Sequence, residues 1–266
     1  MERDAGAFIG AEGHPCFGCG SGKYGRMHLP VARRCNISCG FCDREHDCVN
    51  ESRPGQTSRL ITPKEALCRA KRIYRGDERI CIAGIAGPGE PLANPETLET
   101  LELLQKEMPG LRLCLSTNGL LLPQYAGRLA ECGVKTVTVT RNAFTVETAR
   151  RIYDHVGGMR TDEAYVRLLE AQKEGILQAV HFGITVKVNT VLIPDVNEQE
   201  IGEIARDSRE AGAYIMNIMP LIPAGRMEGM RAPSPELLSQ KREEAGKHIL
   251  QFYHCRHCRA DAAGML

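Results

Sequence analysis

Six short runs rich in Val, Ile, Leu or Thr recur along this chain, near residues 27–33, 79–85, 111–117, 134–141, 183–193 and 213–219, and each reads as a β-strand. Helical spacing of apolar positions fills the intervals between them. One helix starts at Thr62-Pro63-Lys64-Glu65, another at Asn94-Pro95-Glu96 and another at Asn197-Glu198-Gln199-Glu200, each with a side chain suited to capping followed by an early acid or proline. Two more start near 122 and 145, and Thr161-Asp162-Glu163 reads as a fresh start, so 142–178 holds one helix or two. A last helix runs from Ser234-Pro235-Glu236 to about 252. Strict alternation of strand and helix implies right-handed crossovers and a parallel sheet, an α/β protein built as an incomplete barrel or an open doubly wound sheet. The flanks differ. Residues 1–25 are glycine-rich and carry neither period, and after Cys255 a short tail has no fold signal of its own and can be ordered only by docking back.

Composition narrows the class without naming a function. The 266 residues are 42% hydrophobic, enough to bury one substantial core. A formal charge of +1 gives no global field toward nucleic acid or an anionic membrane, and neither is expected as a partner. Apolar stretches such as 120–122 and 188–193 are too short to span a bilayer. Twelve cysteines, in a chain whose start lacks the basic-then-apolar layout of a secretory signal, point to a reducing cytoplasm, where thiols bind metals rather than form disulfides.

The chemistry concentrates in the run RCNISCGFCD at 34–43, where Cys35, Cys39 and Cys42 have three-then-two spacing. Electron-transfer clusters normally take four thiolates, so a compact triplet leaves one iron of a four-iron cluster open for a substrate or cofactor. Structural zinc sites more often pair two CxxC knuckles. The triplet follows the first strand, and in parallel α/β sheets the loops at the carboxyl ends of strands build the active site. The loop after the second strand, AGPGEP at 86–91, sets glycines beside a single carboxylate, Glu90, where a small ligand can approach the main chain; without the triplet it reads as a tight turn. Cys114 and Ser116 alternate on one face of the third strand, so both can point inward, although an isolated cysteine also serves as a small core residue. Cys255 and Cys258, two residues apart, can share one metal or cluster, or form a small zinc clip. Glu65 completes a capping box with Thr62, and a place at the open iron or in proton transfer is the alternative. Cys68, Cys81 and Cys132 lack ligand spacing and are read as core; Cys19 is unassigned.

CxxxCxxC with Phe41 in its aromatic slot, followed by a Gly-rich, Glu-containing loop, resembles the radical S-adenosylmethionine (SAM) superfamily. A narrower resemblance runs through HPCF at 14–17, RMH at 26–28, CDR at 42–44, DCVNESRPG at 47–55, LCLSTNG at 113–119 and CRHCRAD at 255–261, and it is to the NifB family of nitrogenase cofactor assembly proteins. It implies a partial (β/α)6 barrel over 26–232, with an irregular cluster-binding arm at 1–25 and a helix and cluster-binding tail at 233–266 closing the barrel mouth. The chain stops at Leu266, where many members continue into a second domain, and so resembles the stand-alone form. Two departures stand out: the arm between Cys16 and His28 is shorter than the family pattern and adds Cys19, and Arg141 replaces an apolar residue.

The resemblance implies that Cys35, Cys39 and Cys42 hold the SAM-binding 4Fe-4S cluster. Gly87, Gly89 and Glu90 would then hold the SAM amino group, with Ser116, Thr117, Asn118, Asn142, Asn189 and Val191 completing its pocket. Cys16, His28 and Cys114 map onto positions for one precursor 4Fe-4S cluster, and Cys255, Cys258 and Cys48 onto positions for another. One SAM would give its methyl group to a cluster sulfide by displacement. A second would be cleaved reductively to methionine and a 5′-deoxyadenosyl radical that abstracts hydrogen from that methyl, ending in a carbide within an eight-iron precursor. The implied partners are an electron donor such as a ferredoxin, an iron–sulfur cluster donor and a downstream carrier or scaffold. Three alternatives remain: a radical SAM enzyme whose extra clusters relay electrons while a peptide or small molecule is modified, an iron–sulfur carrier or electron-transfer module, and, last, a zinc-clipped interaction protein.

Overall fold

The computed structural model describes residues 11, 13–17, 23–43, 45, 47–48, 58–255 and 257–265. Cys19 and the stretch 49–55, singled out above, lie outside them. In chain order the elements are β1 (Gly25–His28), β2 (Ile37–Cys39), α1 (Pro63–Gly76), β3 (Ile80–Ile85), α2 (Pro95–Glu107), β4 (Arg112–Thr117), α3 (Leu122–Glu131), β5 (Val134–Thr140), α4 (Val146–Ile152), β6 (Tyr153–Val156), α5 (Asp162–His181), β7 (Thr185–Leu192), α6 (Ile201–Glu210), β8 (Ile215–Pro220), α7 (Pro235–Gly246), β9 (Leu250–Gln251) and β10 (Ala263–Met265).

Strands β1, β3, β4, β5, β7 and β8 lie side by side and parallel in that order, the six strands expected from the hydrophobic runs. Alternation along them divides the side chains. Met27, Leu113, Leu115, Val137, Val139, Val186, Val188, Met216 and Ile218 join the core packed under the helices. Arg26, His28, Cys114, Ser116, Thr136, Thr138 and Lys187 line one pocket on the other face, so the sheet curls into a partial barrel with a polar interior. Such a barrel has an open edge. The tail covers it, because β9 adds to β8 and β10 pairs antiparallel with β1, so 252–262 crosses between the last barrel strand and the first. The arm packs at the entry ends of the strands, where Ala11, Cys16 and Phe17 meet Ile215 and Phe252.

Local signals explain most boundaries. Thr62 caps α1 in a full capping box: its hydroxyl accepts the Glu65 N–H at 3.3 Å and its own N–H donates to the Glu65 carboxylate at 2.7 Å. Segment 142–178 divides into α4 and α5, with β6 between them, a strand too short to show a period. Two expected caps are something else. Asn94 spends its side chain on the backbone at 33–34 and 90, and Asn197 lies ahead of α6, with its amide on Ile193, Asn142 and Val191. The last helix stops at Gly246 rather than near 252, and the chain there enters β9.

Arg141 is buried behind β5, where it pairs with Asp207 at 2.9 Å and donates to Ser208 Oγ at 3.0 Å, while Lys173 reaches the same carboxylate at 2.6 Å. Burial pulls Arg141 below its ordinary pKa, against the Asp207 charge. Removing one partner of a buried pair strands the other. Asp207→Ala is therefore expected to cost about 3 kcal/mol, and Arg141→Met less than about 1.5 kcal/mol because Lys173 still neutralises Asp207. Urea unfolding of both variants measures the order.

Candidate active site

The loop after β1 carries Cys35, and its short strand β2 carries Cys39, held by pairing with β6 opposite Tyr153. Cys42 follows one turn later, its N–H on the Cys39 carbonyl at 3.0 Å. Asn94 staples this loop to the one after β3: its carbonyl accepts the Arg33 and Arg34 N–H groups at 3.1 and 2.9 Å, and its amide donates to the Arg34 and Glu90 carbonyls at 2.8 and 2.7 Å. Gly89 makes the approach possible, since a Cβ there would lie 2.5 Å from the Arg34 carbonyl oxygen. The two loops are therefore one rigid unit.

Together they wall a pocket that opens to solvent at its mouth. Cys35, Cys39, Cys42 and Cys48 face Gly89, Glu90, Ser116, Thr117 and Asn118 across it. Glu90 is buried and accepts from the Leu92 N–H at 3.0 Å, the Thr117 hydroxyl at 2.6 Å and the Asn118 N–H at 2.7 Å. These bonds fix the orientation of the carboxylate at the pocket wall. The Asn118 amide donates to Asn36 at 2.7 Å, which ties the end of β4 to the cysteine loop.

A second, smaller pocket lies deeper in the barrel and shares Ala86 and Ser116 with the first. Cys16 from the arm, His28 from β1 and Cys114 from β4 meet there. His28 Nδ1 lies 2.8 Å from the Arg259 carbonyl of the tail, and burial together with the Arg26 charge pushes its pKa down to about 3. It is thus a neutral imidazole, the form that ligates metal. Arg26 contacts the Cys16 sulfur and also faces Cys258; burial opposes its charge, yet the Cys16 and Cys258 sulfurs hold its pKa above the ordinary value. Gly84 provides the space: a Cβ there would sit 2.7 Å from Cys114 Sγ and 3.2 Å from His28.

The other expected residues differ in their settings. Phe41 is fully buried in the core beneath the cysteine loop. Gly87 is in the loop after β3, its φ of +139° open to glycine alone. Asn142, Asn189 and Val191 are buried behind the first pocket: Asn142 Oδ1 accepts the Val191 N–H at 2.9 Å, and Asn189 accepts from Asn217 at 3.2 Å. Cys48 lines the triad's pocket, whereas the resemblance groups it with Cys255 and Cys258. Cys255 packs between the core under the triad and the core around Phe17. Glu65 is exposed, held in its capping box, and faces an outer groove with Arg59, Arg69 and Arg72 rather than the open corner of the triad. Cys68 is exposed in that same groove and is not core; Cys81 is half-buried and Cys132 buried. Sequence reasoning missed Asn94, Gly84, Lys187 and Asp47, the last a buried carboxylate that accepts the Ala260 N–H of the tail at 3.0 Å.

The donor set fits an iron–sulfur cube and SAM. The described cysteines form no disulfide with one another, and their sulfurs are soft ligands suited to iron. Among the described residues no three His, Cys, Asp or Glu side chains close around a single point as for one ion, and a cube needs a wider spread because each thiolate meets a separate iron corner. Three thiols so spaced, on the loop after the first strand of a curled parallel sheet, are the mark of radical SAM proteins, and a sequence model of the Radical SAM superfamily matches residues 29–208.

Relatives narrow the class further. The FeMo cofactor biosynthesis protein NifB of Klebsiella pneumoniae is 43% identical over 96% of this chain and 57% of its own length. The protein of that name from Methanocaldococcus infernus is 44% identical over 95% of this chain and 85% of its own. The chain belongs to the NifB family. It spans little more than half of the Klebsiella protein. Among solved structures, a radical SAM methyltransferase from Sphaerobacter thermophilus superposes with a TM-score of 0.58 at 21% identity, over 90% of this chain and 70% of that one. Methylornithine synthase gives 0.56 at 16% identity, over 100% and 83%. At these identities the likeness is one of fold. No helix among the described residues is long and apolar enough to cross a membrane.

The Gly84 contact yields a direct expectation. Gly84→Ala should lower the iron taken up on anaerobic reconstitution while the chain stays folded and SAM is still cleaved. Iron analysis beside circular dichroism checks it; unchanged iron uptake would show that the second pocket tolerates the methyl group.

Proposed function

We propose that this chain performs the NifB-type assembly reaction, joining two four-iron substrate clusters around a carbon taken from SAM to give the eight-iron precursor of the nitrogenase cofactor. The observation that carries this reading is the convergence of Cys16, His28 and Cys114, from three separate segments, in an interior pocket sharing a wall with that of the cysteine triad. A radical enzyme acting on an outside peptide needs an open path to substrate at that wall; here the space is lined by thiols and an imidazole.

Each part of the chain has a task in this reading. Cys35, Cys39 and Cys42 would hold the resident cluster, which supplies an open iron for SAM and the electron that breaks its sulfonium bond. The buried Glu90 carboxylate, with the Gly87–Gly89 main chain, would take the SAM ammonium. Thr117 and Asn118 keep that carboxylate aimed. Cys16, His28 and Cys114 would hold one substrate cluster, and the neutral imidazole is a ligand readily exchanged when the cluster rearranges. Cys255 and Cys258 would hold the second at the covered edge of the barrel, where the tail can relax to admit substrate or release product. Burial excludes water and oxygen from the reacting atoms. A ferredoxin-type donor, an iron–sulfur cluster donor and a carrier for the product are the partners this chemistry requires.

After anaerobic reconstitution, the chain is expected to carry more iron and acid-labile sulfide than one cube accounts for, and to form both S-adenosylhomocysteine and 5′-deoxyadenosine from SAM. Cys35→Ala/Cys39→Ala/Cys42→Ala should abolish 5′-deoxyadenosine. A chain holding a single cube and forming no S-adenosylhomocysteine overturns the assembly role while leaving it a radical SAM protein.

A further inference from the structure

The second pocket is rich in N–H donors beyond its ligands. Lys187, third in β7, is buried, and its ammonium lies 5.7 Å from the Phe17 ring of the arm and 5.5 Å from the Phe252 ring of the tail. Arg26 reaches the Cys16 sulfur, yet its Nε is buried with no partner among the described residues. His14 is buried too; its Nδ1 accepts the Cys16 N–H at 3.2 Å, so the proton sits on Nε2, which has no partner among the described residues. None of these groups has a carboxylate within ion-pairing distance among the described residues, and Asp261, near His28, is engaged by Arg259 at 3.0 Å. Two cationic side chains and an orphaned donor in a buried pocket are unfavourable unless the occupant is anionic.

We propose that Lys187, with Arg26 and His14 beside it, compensates the negative charge of a sulfide-rich cluster in this pocket and thereby holds it in its more reduced state. The inference rests on the reading that Cys16, His28 and Cys114 receive a cluster. Sulfide and thiolate make such a cluster anionic and each added electron makes it more so, so nearby cations and N–H groups directed at its sulfurs favour the reduced form. Lys187 is thus a charge-compensating residue rather than a ligand. The alternative is a purely structural clamp, its ammonium gripped between the two rings.

The test uses the full chain carrying Cys35→Ala/Cys39→Ala/Cys42→Ala, reconstituted anaerobically with iron and sulfide and titrated by electron paramagnetic resonance against potential. The signal lost on adding Cys16→Ala/Cys114→Ala identifies the cluster of the second pocket. Lys187→Gln and Lys187→Met should shift its reduction equilibrium at least tenfold toward the oxidised form, 59 mV for one electron, with Lys187→Arg within twofold of the parent. Failure of both neutral variants to load iron, with Lys187→Arg loading normally, also supports charge compensation. Neutral variants that load and titrate like the parent overturn it, as does failure of all three to load, which marks a structural clamp. A parent with no signal dependent on Cys16 and Cys114 overturns the reading of the pocket itself, and this inference with it.

Discussion

The structure depends on the two-residue alternation of its parallel strands. In β1, β4, β5 and β7 the apolar residues turn outward to the helices, and the inward positions carry Arg26, His28, Cys114, Ser116, Thr136, Thr138 and Lys187. A sheet buried on both faces would ordinarily be apolar on both. Here the helices supply the hydrophobic stability on one face, which leaves the other free for polar and soft ligands. A slip of one residue in any of these strands would send a ligand into the core and a hydrophobe into the site.

Because the interior is a cavity rather than a packed core, its rims need separate support. Asn94 and Gly89 weld the cysteine loop to the Glu90 loop, so the triad's loop is fixed by side-chain–backbone hydrogen bonds and a close backbone approach before any cluster arrives. The open edge is covered by the tail, pinned through Asp47 to Ala260 and through His28 to Arg259. The β10–β1 pairing and the Arg69 side chain, which donates to the Asp261 carbonyl at 2.6 Å, add to these ties and hold the tail across the edge. The geometry thus pairs a stapled rim around the cysteine triad with a tail that covers the inner pocket.

Much of this was legible in the sequence, for physical reasons. The six strands were visible because β-branched runs mark buried strands, and α1 because Thr62, Pro63 and Glu65 form a complete start signal. The convergence of Cys16, His28 and Cys114 came from family resemblance, since residues that far apart have no period to reveal them. Asn94 and Asn197 misled because an asparagine before a helix looks like a cap whether its amide serves the helix or a neighbouring loop. Strands β2, β6, β9 and β10 were too short to signal. Lys187 was passed over because a lysine in a strand usually faces water, and only the curl of the sheet turns it inward. The tail's docking was foreseen, but its partner Asp47 was not, because a single carboxylate has no local pattern.

The central claim is that the triad and the thiol–imidazole pocket are adjacent compartments of one cavity, divided by little more than Ala86 and Ser116. Two paramagnetic clusters that close must broaden or split each other's resonance. The direct measurement is the electron paramagnetic resonance spectrum of the reduced, reconstituted chain with SAM bound, compared with that of Cys16→Ala/Cys114→Ala. The account predicts spin–spin broadening of the SAM-responsive signal in the parent and a simple, narrowed signal in the variant. Identical spectra, in a parent whose iron content shows both sites filled, would contradict it.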